Sequence, residues 1–161
     1  MKQEDYLRAL AETLRQLDDS ARWLSRSFSR CRKASAKRDL TPSDHDAFEA
    51  LTSRYARTSD MILQKLFRGL DALEMEEGGT LLDALNRAEK RGLIESVSDF
   101  REIREVRNEI AHEYARENIR PLFESVLEHT PALIEIIRRS REYCLRYSPP
   151  RMAAKRRRKG I

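Results

Sequence analysis

From residue 7 onward, apolar side chains recur in alternating steps of three and four: Leu7, Leu10, Leu14, Leu17, Ala21, Leu24, Phe28 and Cys31. Only an α-helix gathers such a set onto one face, as the a/d seam of a packed helix. Residues 3–34 therefore predict one rod of about 45 Å, at about 1.5 Å per residue. A rod of that length cannot bury its own seam, so its partners must also be long helices. No other feature of the chain restricts the fold as strongly.

The remaining elements follow from their stop and start signals. Thr41-Pro42 reads as an N-cap and first helical position, with Asp44 favourable in the first turn. That helix is predicted to run to about Glu76, turning Phe48, Leu51, Tyr55, Ile62, Leu66 and Leu73 inward. Gly78-Gly79 ends it, Thr80 caps a shorter helix through Leu85 to about Arg91, and Gly92 closes that one. Ser96 or Ser98 starts the next helix, whose apolar stripe is Phe100, Ile103, Val106 and Ile110. Pro121 disfavours helical geometry at Arg120, so this helix should end between Tyr114 and Asn118. Thr130-Pro131 reads as a further cap or a kink before Leu133, Ile137, Cys144 and Tyr147. The expectation is an all-α, up-and-down bundle of five or six helices over residues 1–148. Pro149-Pro150 marks its end, and residues 149–161 are expected to be a disordered basic tail.

At 161 residues the chain suits one domain with a proper core. It holds no apolar run near the roughly 20 residues of a membrane span, and Met1-Lys2-Gln3-Glu4-Asp5-Tyr6 lacks the order of a signal peptide. Cys31 and Cys144 fall at helix-interior positions, which predicts buried thiols and a reducing, cytoplasmic setting. The formal net charge of +5 is mostly a tail property. Arg151, Lys155, Arg156, Arg157, Arg158 and Lys159 contribute +6 with no acid, so the body is near −1. The pI thus gives no licence to treat the folded part as a nucleic-acid binder. The tail reads as a solvated run, or as an auxiliary RNA contact.

One segment carries a second kind of information: Arg107-Asn108-Glu109-Ile110-Ala111-His112-Glu113-Tyr114. An Arg followed five residues later by His arises by chance about one time in two in a chain this rich in Arg. Requiring Asn directly after the Arg and Tyr two after the His lowers this to about a few in ten thousand. On a regular helix Arg107 lies about 40° and Tyr114 about 20° from Ile103, whereas Asn108 lies about 140° and His112 about 180° away. Arg107 and His112 then diverge by about 140°, so a joint site needs a frayed helix end or a second copy of the helix. The structural alternative is an Arg that pairs with a carboxylate, Asp60 being the candidate, beside a surface His and a core Tyr.

Other candidates are weaker. Asp44-His45-Asp46 occupies a first helical turn, where acids favour the dipole, and nothing completes a metal shell around it. His129 is expected at a helix end. No Gly-rich phosphate loop, zinc spacing or serine elbow is present, so neither metal nor cofactor is expected.

The segment resembles the signature of the HEPN superfamily, and within it the HepT-like toxins, Arg-x4-His-x-Tyr in an all-helical domain. Arg107, His112 and Tyr114 match it without a gap, and Asn108 matches the residue commonly found beside the Arg. Tyr55 to Phe67 looks like the second helix of such proteins, and the resemblance covers residues 3–147. It implies a homodimeric, metal-independent RNA endonuclease paired with a nucleotidyltransferase antitoxin of the MntA kind. In such pairs the antitoxin transfers AMP to the motif tyrosine, here Tyr114. Other members are non-catalytic partners that bind substrate or nucleotide.

The residue chemistry is compatible with that implication. A guanidinium grips phosphate bidentately, so Arg107 can hold the scissile group. Imidazole titrates near neutrality, so His112 can move the protons of the 2′-hydroxyl and the leaving oxygen. Asn108, one turn before His112, can orient the imidazole or donate to phosphate. Outside the resemblance, a helical interaction protein with a purely structural motif remains the third alternative.

Overall fold

Helix α1, Gln3–Ser35, is one unbroken rod. Leu10, Leu17, Leu24 and Cys31 are buried, while Leu7, Leu14, Ala21 and Phe28 are partly buried against the same core. One half of the seam faces the bundle centre and the other half its flank. The computed structural model describes residues 2–76, 78–112 and 118–147, and all regular structure among them is helical. The basic tail lies outside the described residues.

The partners of α1 are as long as its length requires. Helix α2, Pro42–Met61, passes through a π-helical turn, Ile62–Phe67, into α3, Arg68–Leu73, as one continuous rod. Thr41 caps it: the hydroxyl accepts from the Asp44 amide at 3.1 Å, and the Asp44 carboxylate accepts from the Thr41 amide at 2.9 Å. Asp44 does more than complement a dipole. It is buried, and accepts from Arg30 at 2.9 Å and Lys37 at 3.1 Å. The Thr41 amide first, then Arg30 and Lys37, hold its carboxyl well below the usual carboxylate range. Asp44 thus ties the turn between α1 and α2 from one side, and Arg120 donates to the Ser35, Lys37 and Arg38 carbonyls from the other.

The π turn departs from the α-helix expected to run to about Glu76. An extra residue in the turn rotates the following positions, so Ile62, Leu63, Leu66 and Phe67 are all buried. The rod stops at Leu73, and Gly78 and Gly79, with φ of 96° and 86°, turn the chain. Thr80 caps α4, Leu81–Lys90, and Gly92 at φ 74° ends it. Buried Asp71 accepts from Arg87 at 3.1 Å and Arg91 at 2.7 Å, and Arg91 also donates to Glu74 at 2.9 Å. These bonds fasten α4 to the end of α3.

Helix α5, Val97–His112, starts at Ser96, whose hydroxyl accepts from the Asp99 amide at 3.0 Å. Its expected end, between Tyr114 and Asn118, falls on residues outside those described, apart from Asn118 itself. Helix α6, Arg120–Cys144, carries Pro121 in its first turn and leads into a short 3-10 turn, Leu145–Tyr147. Arg120 is thus helical after all, because Pro121 falls where no amide bond is needed. Thr130-Pro131 is not a cap. It lies inside α6, where the buried Thr130 hydroxyl donates to the Val126 carbonyl at 2.6 Å. Burial of Phe123 and Val126 before it, and of Leu133, Ile136 and Ile137 after it, carries the helix through a proline that costs about 3 kcal/mol. His129 is accordingly in mid-helix rather than at an end, 3.5 Å from Glu102.

Among the described residues there are five helical rods: α1, the α2–α3 rod, α4, α5 and α6. Contacts of Lys65 with Gln16 and of Arg30 with Asp44 set α1 antiparallel to the α2–α3 rod. Arg120 on the Ser35 carbonyl and Arg141 on Asp18 do the same for α1 and α6. Glu102 beside His129, and Glu95 just before α5 beside Arg139, set α5 antiparallel to α6. Phe48 stacks on Phe123 with centroids 4.3 Å apart, and Phe67 meets Phe100 at 5.3 Å. Cys31 and Cys144 are buried free thiols, each pushed up to about 11 by burial. Among the described residues no helix is long and apolar enough to cross a membrane.

Candidate functional site

The apolar stripe of α5 settles where the motif residues go. Phe100, Ile103 and Val106 are buried, and the helix stays regular through His112. Arg107, on the edge of the stripe, is thereby directed at α2. Its Nε donates to Asp60 Oδ1 and its Nη2 to Asp60 Oδ2, both at 2.8 Å. The hydrogen bonding of Arg107 to the Asp60 carboxylate is the main reason the guanidinium is held more firmly protonated than usual. The pair is only partly buried, with side-chain exposures of 30% for Arg107 and 40% for Asp60.

A third residue fixes the same turn. Buried Tyr55 donates its hydroxyl to the Ile103 carbonyl at 3.1 Å, the carbonyl that an α-helix pairs with the amide of residue 107. Burial pushes the Tyr55 hydroxyl well above its ordinary range, so it remains a donor. Tyr55 and Asp60 are both on α2, and together they set the height and the direction of Arg107.

His112 and Asn108 leave α5 on another side. Both are exposed, and at i and i+4 they share one face. The angle of about 140° from Arg107 to His112 holds because the helix is regular between them. The single chain does not bring the two together. Tyr114 lies outside the described residues.

Two of the five N–H donors of Arg107 serve Asp60, which leaves three on a partly exposed fork whose plane those bonds orient. Such a fork can take a phosphate in a set orientation. An exposed imidazole one and a half turns along can exchange protons with a group delivered to it. Asp44-His45-Asp46 is used otherwise: Asp44 serves the cap and its two cations, and His45 meets the Phe123 ring edge-on at 6.1 Å. No group of three or more His, Cys, Asp or Glu side chains able to hold a metal occurs among the described residues.

Asp60 was legible as the partner of Arg107. The Tyr55 hydroxyl was not, because its periodicity marked only a core aromatic. Compared with known proteins, the chain matches no family model, no curated protein and no solved structure.

Proposed function

We propose that the chain is a HEPN-type, metal-independent RNA endonuclease of the HepT-like toxin class, working as a homodimer. The observation that carries this is the placement of Arg107. A bidentate bond to Asp60 aims a partly exposed guanidinium from the same regular helix that presents His112 and Asn108 to solvent. In the dimer, Arg107 holds the scissile phosphate. One copy of His112 removes the proton of the ribose 2′-hydroxyl, whose oxygen attacks phosphorus. The second copy protonates the departing 5′-oxygen as its bond to phosphorus breaks. The products are a 2′,3′-cyclic phosphate and a 5′-hydroxyl end. Asn108 orients the imidazole or binds phosphate. No metal ligand or cofactor enters the scheme.

The expected result is RNA cleavage that persists in EDTA and leaves cyclic phosphate ends, lost in both Arg107→Ala and His112→Ala with helicity retained. Abolition by chelation, or undiminished cleavage in both variants, defeats the mechanism. A cognate nucleotidyltransferase restrains the toxin by transferring AMP to Tyr114, where added phosphate occupies Arg107 and the nucleotide obstructs the cleft. Intact mass after co-expression should show AMP additions that Tyr114→Phe removes. Their absence, or their mapping elsewhere, rules out this control.

The Arg107–Asp60 pair also favours a second reading, a non-catalytic HEPN subunit that binds substrate or nucleotide for its partner. A guanidinium already satisfied by a carboxylate is also what a structural role requires. Binding without cleavage, unaffected by His112→Ala, would select it.

A further inference from the structure

The single tryptophan of the chain, Trp23, is 50% exposed, an unusual setting for the largest apolar side chain. It lies on α1 in a groove of about 370 Å³ against α2, with Arg54, Arg57 and Met61 on the facing side. The Arg26 and Arg54 guanidinium carbons stand over the indole, 5.7 and 5.3 Å from its centroid. Arg54 is steered there by bonds to the Trp23 carbonyl, at 3.4 Å, and to the Ser27 hydroxyl. The acid in the lining, Asp19, is taken by Arg22. Among the described residues, neither Arg26, Arg54 nor Arg57 has a carboxylate within ion-pair distance, in contrast to Arg30, Arg87, Arg91 and Arg107.

Three guanidiniums with no carboxylate partner among the described residues, set around an exposed indole, offer phosphate contacts beside a stacking face, the combination that binds single-stranded nucleic acid without regard to sequence. Their position on α2 adds direction. Arg54, Arg57 and Asp60 succeed one another at three-residue intervals, each step turning about 60° around the helix and rising about 4.5 Å. The series leads from the Trp23 groove across the open side of α2 to the Arg107–Asp60 pair.

We propose that Trp23, Arg26, Arg54 and Arg57 form a subsite for single-stranded RNA, separate from the motif residues. A base stacks on the indole in place of the exposed Arg26 side chain, and Arg26 and Arg57 take the flanking phosphates. The choice of RNA as the nucleic acid rests on the ribonuclease proposal; the groove itself does not.

Trp23 is its own reporter. The full chain carrying His112→Ala, which leaves RNA intact, is titrated with a short oligoadenylate while indole emission is followed. Saturable quenching that weakens as salt rises is expected. Anisotropy of a labelled oligoadenylate should show binding reduced about tenfold by Trp23→Ala and again by Arg57→Ala, with unchanged circular dichroism. Absence of quenching at low salt, or affinity indifferent to both substitutions, overturns the subsite. Emission that shifts with protein concentration alone, together with a rise in mass by light scattering, makes the groove a self-association face and also overturns it. Quenching without cleavage by the wild type leaves the subsite standing and removes the ribonuclease; cleavage without quenching does the reverse.

Discussion

Arg107 illustrates how little stability an ion pair must supply to matter. With both partners partly exposed, the Asp60 pair contributes at most about 1 kcal/mol, since solvent screens it and two side chains must be ordered. What it does favour is direction: two parallel bonds at 2.8 Å orient the guanidinium plane. Asp60→Asn should therefore leave the thermal midpoint nearly unchanged while lowering the cleavage rate by about tenfold to a hundredfold, the cost of a misplaced phosphate ligand. Kinetics and melting of the same preparation test this. A large loss of stability with activity intact would make the pair structural. This partner was readable from sequence as a candidate because a charge bordering an apolar stripe needs a carboxylate; that the helix carrying Asp60 packs against α5 came from the structure. The Tyr55 hydroxyl bond was not readable, since a tyrosine at a core position says nothing about which carbonyl its oxygen meets.

Elements were legible where their signals are local. The seam of α1, the Thr41 and Thr80 caps and the glycine stops all lie within a few residues of what they determine. The π turn and the uninterrupted α6 were not legible, because each is decided by packing from other elements. Leu63 and Phe67 are drawn inward alongside Ile62 and Leu66, and Pro131 is held helical by its buried neighbours. The anchoring of α4 was equally hidden, since Asp71 and Arg91 are far apart in sequence. Among the described residues that anchor holds the most deeply buried ion pair, Arg91 with Asp71. Asp71 is buried, Arg91 nearly so, and Arg87 shares the same carboxylate. Asp71→Ala leaves two cations facing a void, and breaking a buried pair costs about 3–5 kcal/mol. Denaturant unfolding should show that loss, with hydrogen exchange in Leu81–Lys90 rising first. A change below about 0.5 kcal/mol, within the range of ordinary surface substitutions, would show that α4 is held by its apolar face alone.

For the whole molecule, the regularity of α5 is what makes a single chain insufficient for the proposed chemistry. Arg107 is committed to the α2 side, and His112 leaves the helix about 140° away. In the proposed homodimer, a two-fold axis beside the exposed face of α5 would bring two copies of His112 into one cleft, each copy related identically to the other. Such a site needs both imidazoles, one to accept a proton and one to give it. Mixing wild-type protein with an equal amount of His112→Ala, after subunit exchange, then leaves only wild-type pairs active. Random pairing places about a quarter of dimers in that class, whereas chains acting singly would retain about half the activity. Cleavage near a quarter of the undiluted rate is the expected outcome. A value near half, or a monomer by light scattering at assay concentrations with activity retained, would mean that His112 works alone. The second proton would then come from another group on the same chain.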